Sequence, residues 1–201
     1  MSDTPRVGLA YISDREDLYL PRCKASVEEH IDYPFVAVTT IDDRQHKLGM
    51  AGAVNAAWSW AVDNDLEFLL HWEEDQFIVR TLDIEDMVTV LDLNPELSHV
   101  VLNRYPYGGD IALGGPMKAL GAEPKECTGC GAKWSTHKTL FSLNPCLIPR
   151  HVFELGYSNE NEAGMTKVLL DQGYEFSFLG HPTDEPYISH IGDIRGAGWK
   201  L

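Results

Sequence analysis

The chain has 201 residues, of which 31 are acidic and 16 basic, giving a formal net charge of −15 with 44% hydrophobic and 23% charged residues. That is enough chain for one sizeable core, and the composition is that of an ordinary soluble globular domain. The acidic balance argues against nucleic acid, which needs clustered Lys and Arg, and against electrostatic attachment to a membrane; no apolar run of about 18 residues marks a span and the first residues lack a secretory leader, so a cytoplasmic protein is expected.

Residues 6–15, RVGLAYISDR, predict a short apolar strand that breaks at the polar loop Ser13-Asp14-Arg15. Residues 18–31 suit a surface helix after Pro21. Residues 34–44, PFVAVTTIDDR, predict a second buried strand, rich in β-branched residues and ending in Asp42-Asp43. In residues 46–65, Ala51, Val54, Ala57, Trp58 and Ala61 recur at helical spacing, which predicts a helix whose small face packs closely on a sheet. Residues 67–75, EFLLHWEED, form a third predicted strand running straight into Glu73, Glu74 and Asp75. Three acids at the end of a core strand repel one another, so water or a cation must solvate them.

Residues 83–95 predict a helix stopped by Pro95, and 98–107 a fourth strand. The Gly-rich stretch 108–138 has little periodicity and is too long for an ordinary connection, which predicts a loop or flap. Residues 139–149 return to extended chain, 161–173 form a helix ending at Gly173, and 174–180 alternate as a strand. A His- and Gly-containing tail, 187–201, closes the chain. Strands alternating with helices predict a single α/β domain with a mainly parallel sheet. Ligands bind such sheets beyond the carboxyl ends of the strands, where Asp14-Arg15, Asp42-Asp43 and Glu73-Glu74-Asp75 would converge.

The cysteines are Cys23, Cys127, Cys130 and Cys146. In a cytosolic chain they are expected to be reduced. Cys127 and Cys130 form one CxxC, but the second paired half of a zinc site is missing, leaving His137 or Cys146 to complete an irregular one. Two free thiols in a Gly-rich turn are the alternative. His71 and most of the tryptophans (Trp58, Trp60, Trp72, Trp134, Trp199) are expected in the core; Trp134 and Trp199, in Gly-rich segments, could instead stack on a sugar.

The strand with its polar loop, the strand ending in Asp-Asp, the helix GMAGAVNAAW and the run FLLHWEED together resemble the GT-A glycosyltransferases, most of all the family-2 type. The pattern extends through 141–157, 159–180 and YISHIG at 187–192. The resemblance implies a Rossmann-like α/β/α sandwich that moves a sugar from a nucleotide-diphosphate donor to a hydroxyl acceptor. It implies donor contacts from Asp14, Arg15, Asp42, Asp43, Asn55 and Glu74. The acidic triplet takes the place of the DxD-type motif, with Mn²⁺ or Mg²⁺ on Asp75, Glu73 as its other outer acid and His190 as a further ligand. Glu at 73 departs from the family pattern. Carboxylate oxygens and a neutral imidazole are natural ligands for such a cation, which neutralises charge on a departing diphosphate. Asn55 on the small-residue helix is placed to hydrogen-bond a donor phosphate or sugar, since a helix Asn without a partner is unfavourable.

An inverting transferase needs a base for the acceptor proton, and Glu160 and Glu162, beside a helix start, are the candidates. A UDP- or GDP-type donor and a protein or glycan acceptor are the expected partners. A nucleotidyltransferase shares the layout, but AYISDRED lacks its Gly-rich, basic loop. A non-catalytic nucleotide- or sugar-binding module, and a zinc-stapled structural protein, are readings of other classes.

Overall fold

The first predicted strand forms as β1 (Val7–Ser13), and every residue of it is buried. Its alternation serves two faces: Val7, Leu9 and Tyr11 enter one apolar cluster, Ala10 and Ile12 another. A computed structural model describes residues 4–14, 19–106, 108–127 and 131–190. After β1, α1 (Leu20–His30) starts with Pro21 in its first turn, where a missing N–H costs nothing, and buries Leu20, Cys23 and Val27. β2 (Ala37–Asp42) is half-exposed, with Val38 at 58%, because it is the sheet's edge. The buried strand expected there is an edge strand: β-branched residues favour extended chain wherever it lies.

The predicted helix 46–65 is divided into α2 (Asp43–His46) and α3 (Gly49–Asp63), with Lys47 and Gly49 at positive φ between them. Ala53, Val54, Ala57, Trp58 and Ala61 form the buried stripe of α3. β3 (Phe68–Glu73) is buried as far as Trp72. The chain then turns at Glu74-Asp75 into a strand not anticipated from sequence, β4 (Gln76–Ile78). α4 (Ile84–Leu93) is capped by Asp83, whose Oδ1 accepts from the Glu85 N–H at 2.8 Å, and leads to β5 (Leu97–Val101).

The Gly-rich stretch holds more structure than a loop. It contains a 3-10 helix (Gly108–Leu113), α5 (Pro116–Ala119), and the antiparallel pair β6 (Glu123–Glu126) and β7 (Lys133–His137). β6 is exposed throughout and forms the sheet's other edge, so nothing in its sequence, EPKE, signals a buried face. Its charges and Pro124 suit an edge that must not pair further. β8 (Cys146–Pro149), α6 (Arg150–Phe153), α7 (Asn161–Asp171), β9 (Glu175–Leu179) and β10 (Ile188–His190) follow.

The main sheet runs β2-β1-β3-β8-β5-β9-β7-β6. β1 is parallel to β2 and β3, and β5 to β9; β8 and β7 run against their neighbours. Residues of α1 and α4 pack with one face, and residues of α3, α6 and α7 with the other. The result is the expected α/β/α sandwich with a mixed, mainly parallel sheet. β4 leaves that sheet to pair antiparallel with β10, setting Gln76 opposite His190.

Candidate active site

Sheet register brings the three polar strand ends together. Ser13 stands beside Asp42, and Ile12 beside Glu73, so all three ends lie on the carboxyl edge. Asp14 is there as expected; Arg15 lies outside the described residues. Asp42 Oδ1 accepts from the Arg44 N–H at 3.0 Å and pairs with its guanidinium at 3.5 Å. Asp43, 9% exposed, accepts from the Leu48 N–H at 2.6 Å. Both acids therefore organise the turn between β2 and α3.

The acidic triplet divides. Glu74 is 2% exposed and turns inward: its carboxylate accepts from the Ser13 hydroxyl and, at 3.3 Å, from the Asp14 N–H. Glu74, expected to contact the donor, braces the β1 loop against the β3 turn. Asp75 faces the α1 side, where burial, followed by the negative charges of Asp75 and Glu74, pushes the Cys23 thiol up to about 12. Glu73 faces the opposite side. There burial first, and then Glu73 and Glu162, raise the thiol of Cys146 and the phenol of Tyr157. The negative charges of Glu73 and Glu162 therefore both act on these two groups.

His190 Nε2 lies 3.4 Å from Asp75 Oδ2, with both side chains nearly buried. The β4–β10 pair makes this contact, because it sets His190 beside the residue that follows Asp75. The turn is fixed from beneath: the Trp72 indole N–H and the Cys23 thiol both donate to the Gln76 carbonyl, at 2.8 and 3.5 Å. One carboxylate and one imidazole suit Mn²⁺ or Mg²⁺ whose other positions go to diphosphate oxygens and water. No group of three His, Cys, Asp or Glu placed to hold a metal occurs among the described residues, so Glu73 does not complete a three-ligand set.

Glu162 sits in the first turn of α7, half-buried, and accepts from the Leu143 N–H at 2.7 Å. Glu160 precedes the helix and is exposed. Asn55 is engaged by the fold. Its side-chain N–H₂ donates to the Tyr157 carbonyl and its Oδ1 accepts from the Tyr157 N–H, at 3.0 and 2.8 Å. Both ends of the amide clamp α3 to the chain after α6.

Among the described residues the parts of the zinc reading are not brought together. Cys127 packs with the first apolar cluster and Cys146 belongs to the second, on opposite faces of the sheet. His137 is stacked on Phe178 with ring centroids 5.4 Å apart, buried in aromatic surroundings. Cys130 lies outside the described residues. His71 and Trp58, Trp72 and Trp134 are buried as core residues; Trp199 lies outside the described residues. Sequence reasoning missed Ser13 and Tyr157. The period-2 alternation of β1 places Ser13 on the strand's edge, but nothing in FELGY distinguishes its tyrosine.

No protein-family model matches the sequence, and no curated protein does. Among solved structures, residues 1–349 of S. aureus TarS in complex with UDP superpose with a TM-score of 0.58 at 14% identity, covering 92% of this chain and 60% of that one. The same portion in complex with UDP-GlcNAc gives 0.55 at 14% identity, covering 92% and 58%. TarS is a glycosyltransferase of GT-A-like type. The chain has a GT-A-like fold. It spans about 60% of the length of TarS 1–349. Among the described residues no helix is long and apolar enough to cross a membrane.

Proposed function

We propose that the chain is a nucleotide-sugar glycosyltransferase, using a UDP-type donor, a divalent cation and inversion at the transferred sugar. The observation that carries this reading is the Asp75–His190 contact at the carboxyl edge of a GT-A-like sheet. It is supported by fold neighbours crystallised with UDP and UDP-GlcNAc.

Asp75 and His190 would hold Mn²⁺ or Mg²⁺ against the donor diphosphate, where it would offset the charge of the departing nucleotide. Asp14, Asp42 and Asp43 line the edge where base and ribose would lie. Glu162 takes the proton from the acceptor hydroxyl as that oxygen bonds to the anomeric carbon, and the nucleoside diphosphate leaves with the electron pair of the broken bond. Burial of Glu162 against the Leu143 N–H supports it over exposed Glu160. The acceptor is a protein or a glycan.

The test is thermal stabilisation by UDP, GDP, CMP and dTDP sugars with and without Mn²⁺, followed by assay of freed nucleoside diphosphate. Native-state ligands raise stability with the logarithm of concentration over Kd. A Mn²⁺-dependent shift with one nucleotide, lost in Asp75→Ala, is the expected result; binding without any release of diphosphate would favour a silent binding module. Formation of a nucleoside triphosphate and sugar 1-phosphate when pyrophosphate is added, rather than of a nucleoside diphosphate, would mark a nucleotidyltransferase.

A further inference from the structure

The ion pair Arg104–Asp110 stands beside the candidate cation site, and the proposed reaction leaves it unused. Because β8 runs against both β3 and β5, β5 delivers its carboxyl end to the same edge as Glu73. The chain leaving that end flanks β10. Arg104 pairs in parallel with Ile188, the Tyr105 N–H donates to the Ile188 carbonyl at 2.8 Å, and the Asn103 carbonyl accepts from the Tyr187 and Ile188 N–H groups at 2.8 and 3.1 Å. β10 therefore lies between β4 and residues 103–105. Side chains alternate along a strand, so His190, about 7 Å beyond Ile188, shares a face with Ile188 and with Arg104 across from it. A guanidinium is thereby set on the same face as the imidazole that meets Asp75 at 3.4 Å.

In this structure the protein engages that guanidinium itself. Arg104 Nη2 donates to Asp110 Oδ2 at 2.7 Å and Nη1 to the Tyr105 carbonyl at 3.2 Å, and the two paired side chains are only 11% and 12% exposed. Asp110 belongs to the 3-10 helix Gly108–Leu113, which keeps its apolar residues out of the core: Ile111 and Leu113 are each 61% exposed. Gly114 and Gly115 end the helix at φ of 84° and 108°, where glycine turns without strain. A guanidinium fork fits the oxygens of a diphosphate as it fits those of a carboxylate. Two anions, one of them the protein's own, therefore compete for Arg104.

We propose that Arg104–Asp110 is a charge latch on the donor site: the diphosphate of the nucleotide takes the Arg104 guanidinium from Asp110, and the 3-10 helix is released as the donor binds. The inference rests on a nucleoside diphosphate binding at Asp75–His190, as read above. Arg104 favours binding and Asp110 opposes it, so removing their charges acts with opposite sign.

The Kd values of UDP and GDP for the whole chain are measured by calorimetry in Mn²⁺. Arg104→Gln is expected to weaken binding about tenfold or more, and Arg104→Lys, which keeps the charge without the fork, by less. Asp110→Asn, which keeps the shape and removes the competing charge, is expected to tighten it about threefold or more. In the Arg104→Gln background Asp110→Asn should lose most of that gain, because its effect passes through Arg104. Uridine, which carries no phosphate, should bind all variants alike. Asp110→Asn that leaves nucleotide affinity unchanged or weakens it overturns the latch, as does an equal gain with Arg104 removed. In those cases nucleotide binding by the unsubstituted chain keeps the donor reading; a chain that binds neither UDP nor GDP sinks that reading and the latch with it, so the two failures are distinguishable.

Discussion

Asp75 and His190 come from distant parts of the chain and meet at 3.4 Å, and the assignment of a cation to them makes a sharp expectation. Asp75→Asn keeps the shape and removes the charge. It should abolish Mn²⁺ binding by calorimetry and the Mn²⁺-dependent part of UDP-sugar stabilisation, while the ligand-free protein melts as before or higher. Undiminished Mn²⁺ binding would remove the cation from this site. Glu162→Gln should behave oppositely: nucleotide binding persists, and kcat falls by about 10²- to 10⁴-fold, the usual contribution of a positioned base. A similar loss in Glu160→Gln with none in Glu162→Gln would reverse the assignment. At this scale the sequence paired Asp75 with His190, and the fold brings the two together. It did not show that the polar groups of Asn55 and Glu74 bond the protein's own backbone and hydroxyls. A buried polar side chain must be satisfied, and the sequence does not say whether by ligand or by fold.

Two short elements decide where the site residues stand, and both are weak signals. β4 and β10 have three residues each, and their pairing crosses most of the chain. Ile188 anchors the pair: it is fully buried, its N–H reaches the Asn103 carbonyl at 3.1 Å, and its own carbonyl accepts from the Tyr105 N–H at 2.8 Å. Ile188→Ala should cost about 2–5 kcal/mol in denaturant unfolding, as buried large-to-small changes do. It should also weaken Mn²⁺ binding, although Ile188 is not a ligand, because β10 carries His190. Stability lost with Mn²⁺ affinity intact would show that His190 is not needed for the cation. The longer elements were legible because period-2 and period-3.6 patterns are strong over many residues, as in β1 and α3. The hairpin β6–β7 was not, since an exposed edge strand has no apolar face to display.

Across the whole molecule the apolar pattern specified the two-faced core, but it also enclosed groups that ordinarily titrate near neutral pH. His71 and His99 are fully buried and His137 is 6% exposed. Burial alone brings His71 and His137 down to about 4; for His99 burial, reinforced by the nearby His137, brings it down to about 3. Both ring nitrogens of His71 lack hydrogen-bond partners, so a proton there would be an uncompensated core charge. A folded pKa below the unfolded value means the unfolded chain binds more protons between the two. Stability from these groups is therefore complete above about pH 6.5 and falls as pH drops toward about 4, by about 1.4 kcal/mol per pH unit for each proton involved. Asp86 and Asp92 act the other way: burial first, and then neighbouring acids, raise their pKa, so their protonation favours the folded state. Falling pH also relieves the repulsion within a chain of net charge −15. Those acids are largely solvated and their effect is screened, whereas the imidazoles are enclosed, so the histidine term dominates. Urea unfolding at about pH 7.5, 6 and 5 should show a steep loss of stability below about pH 6.5. His71→Leu, which replaces the unpartnered ring with an apolar side chain, should reduce that slope by about one proton's worth. A slope unchanged by the substitution would mean that His71 stays unprotonated in the unfolded chain or is protonated in the folded one, and the burial argument would fail at that residue.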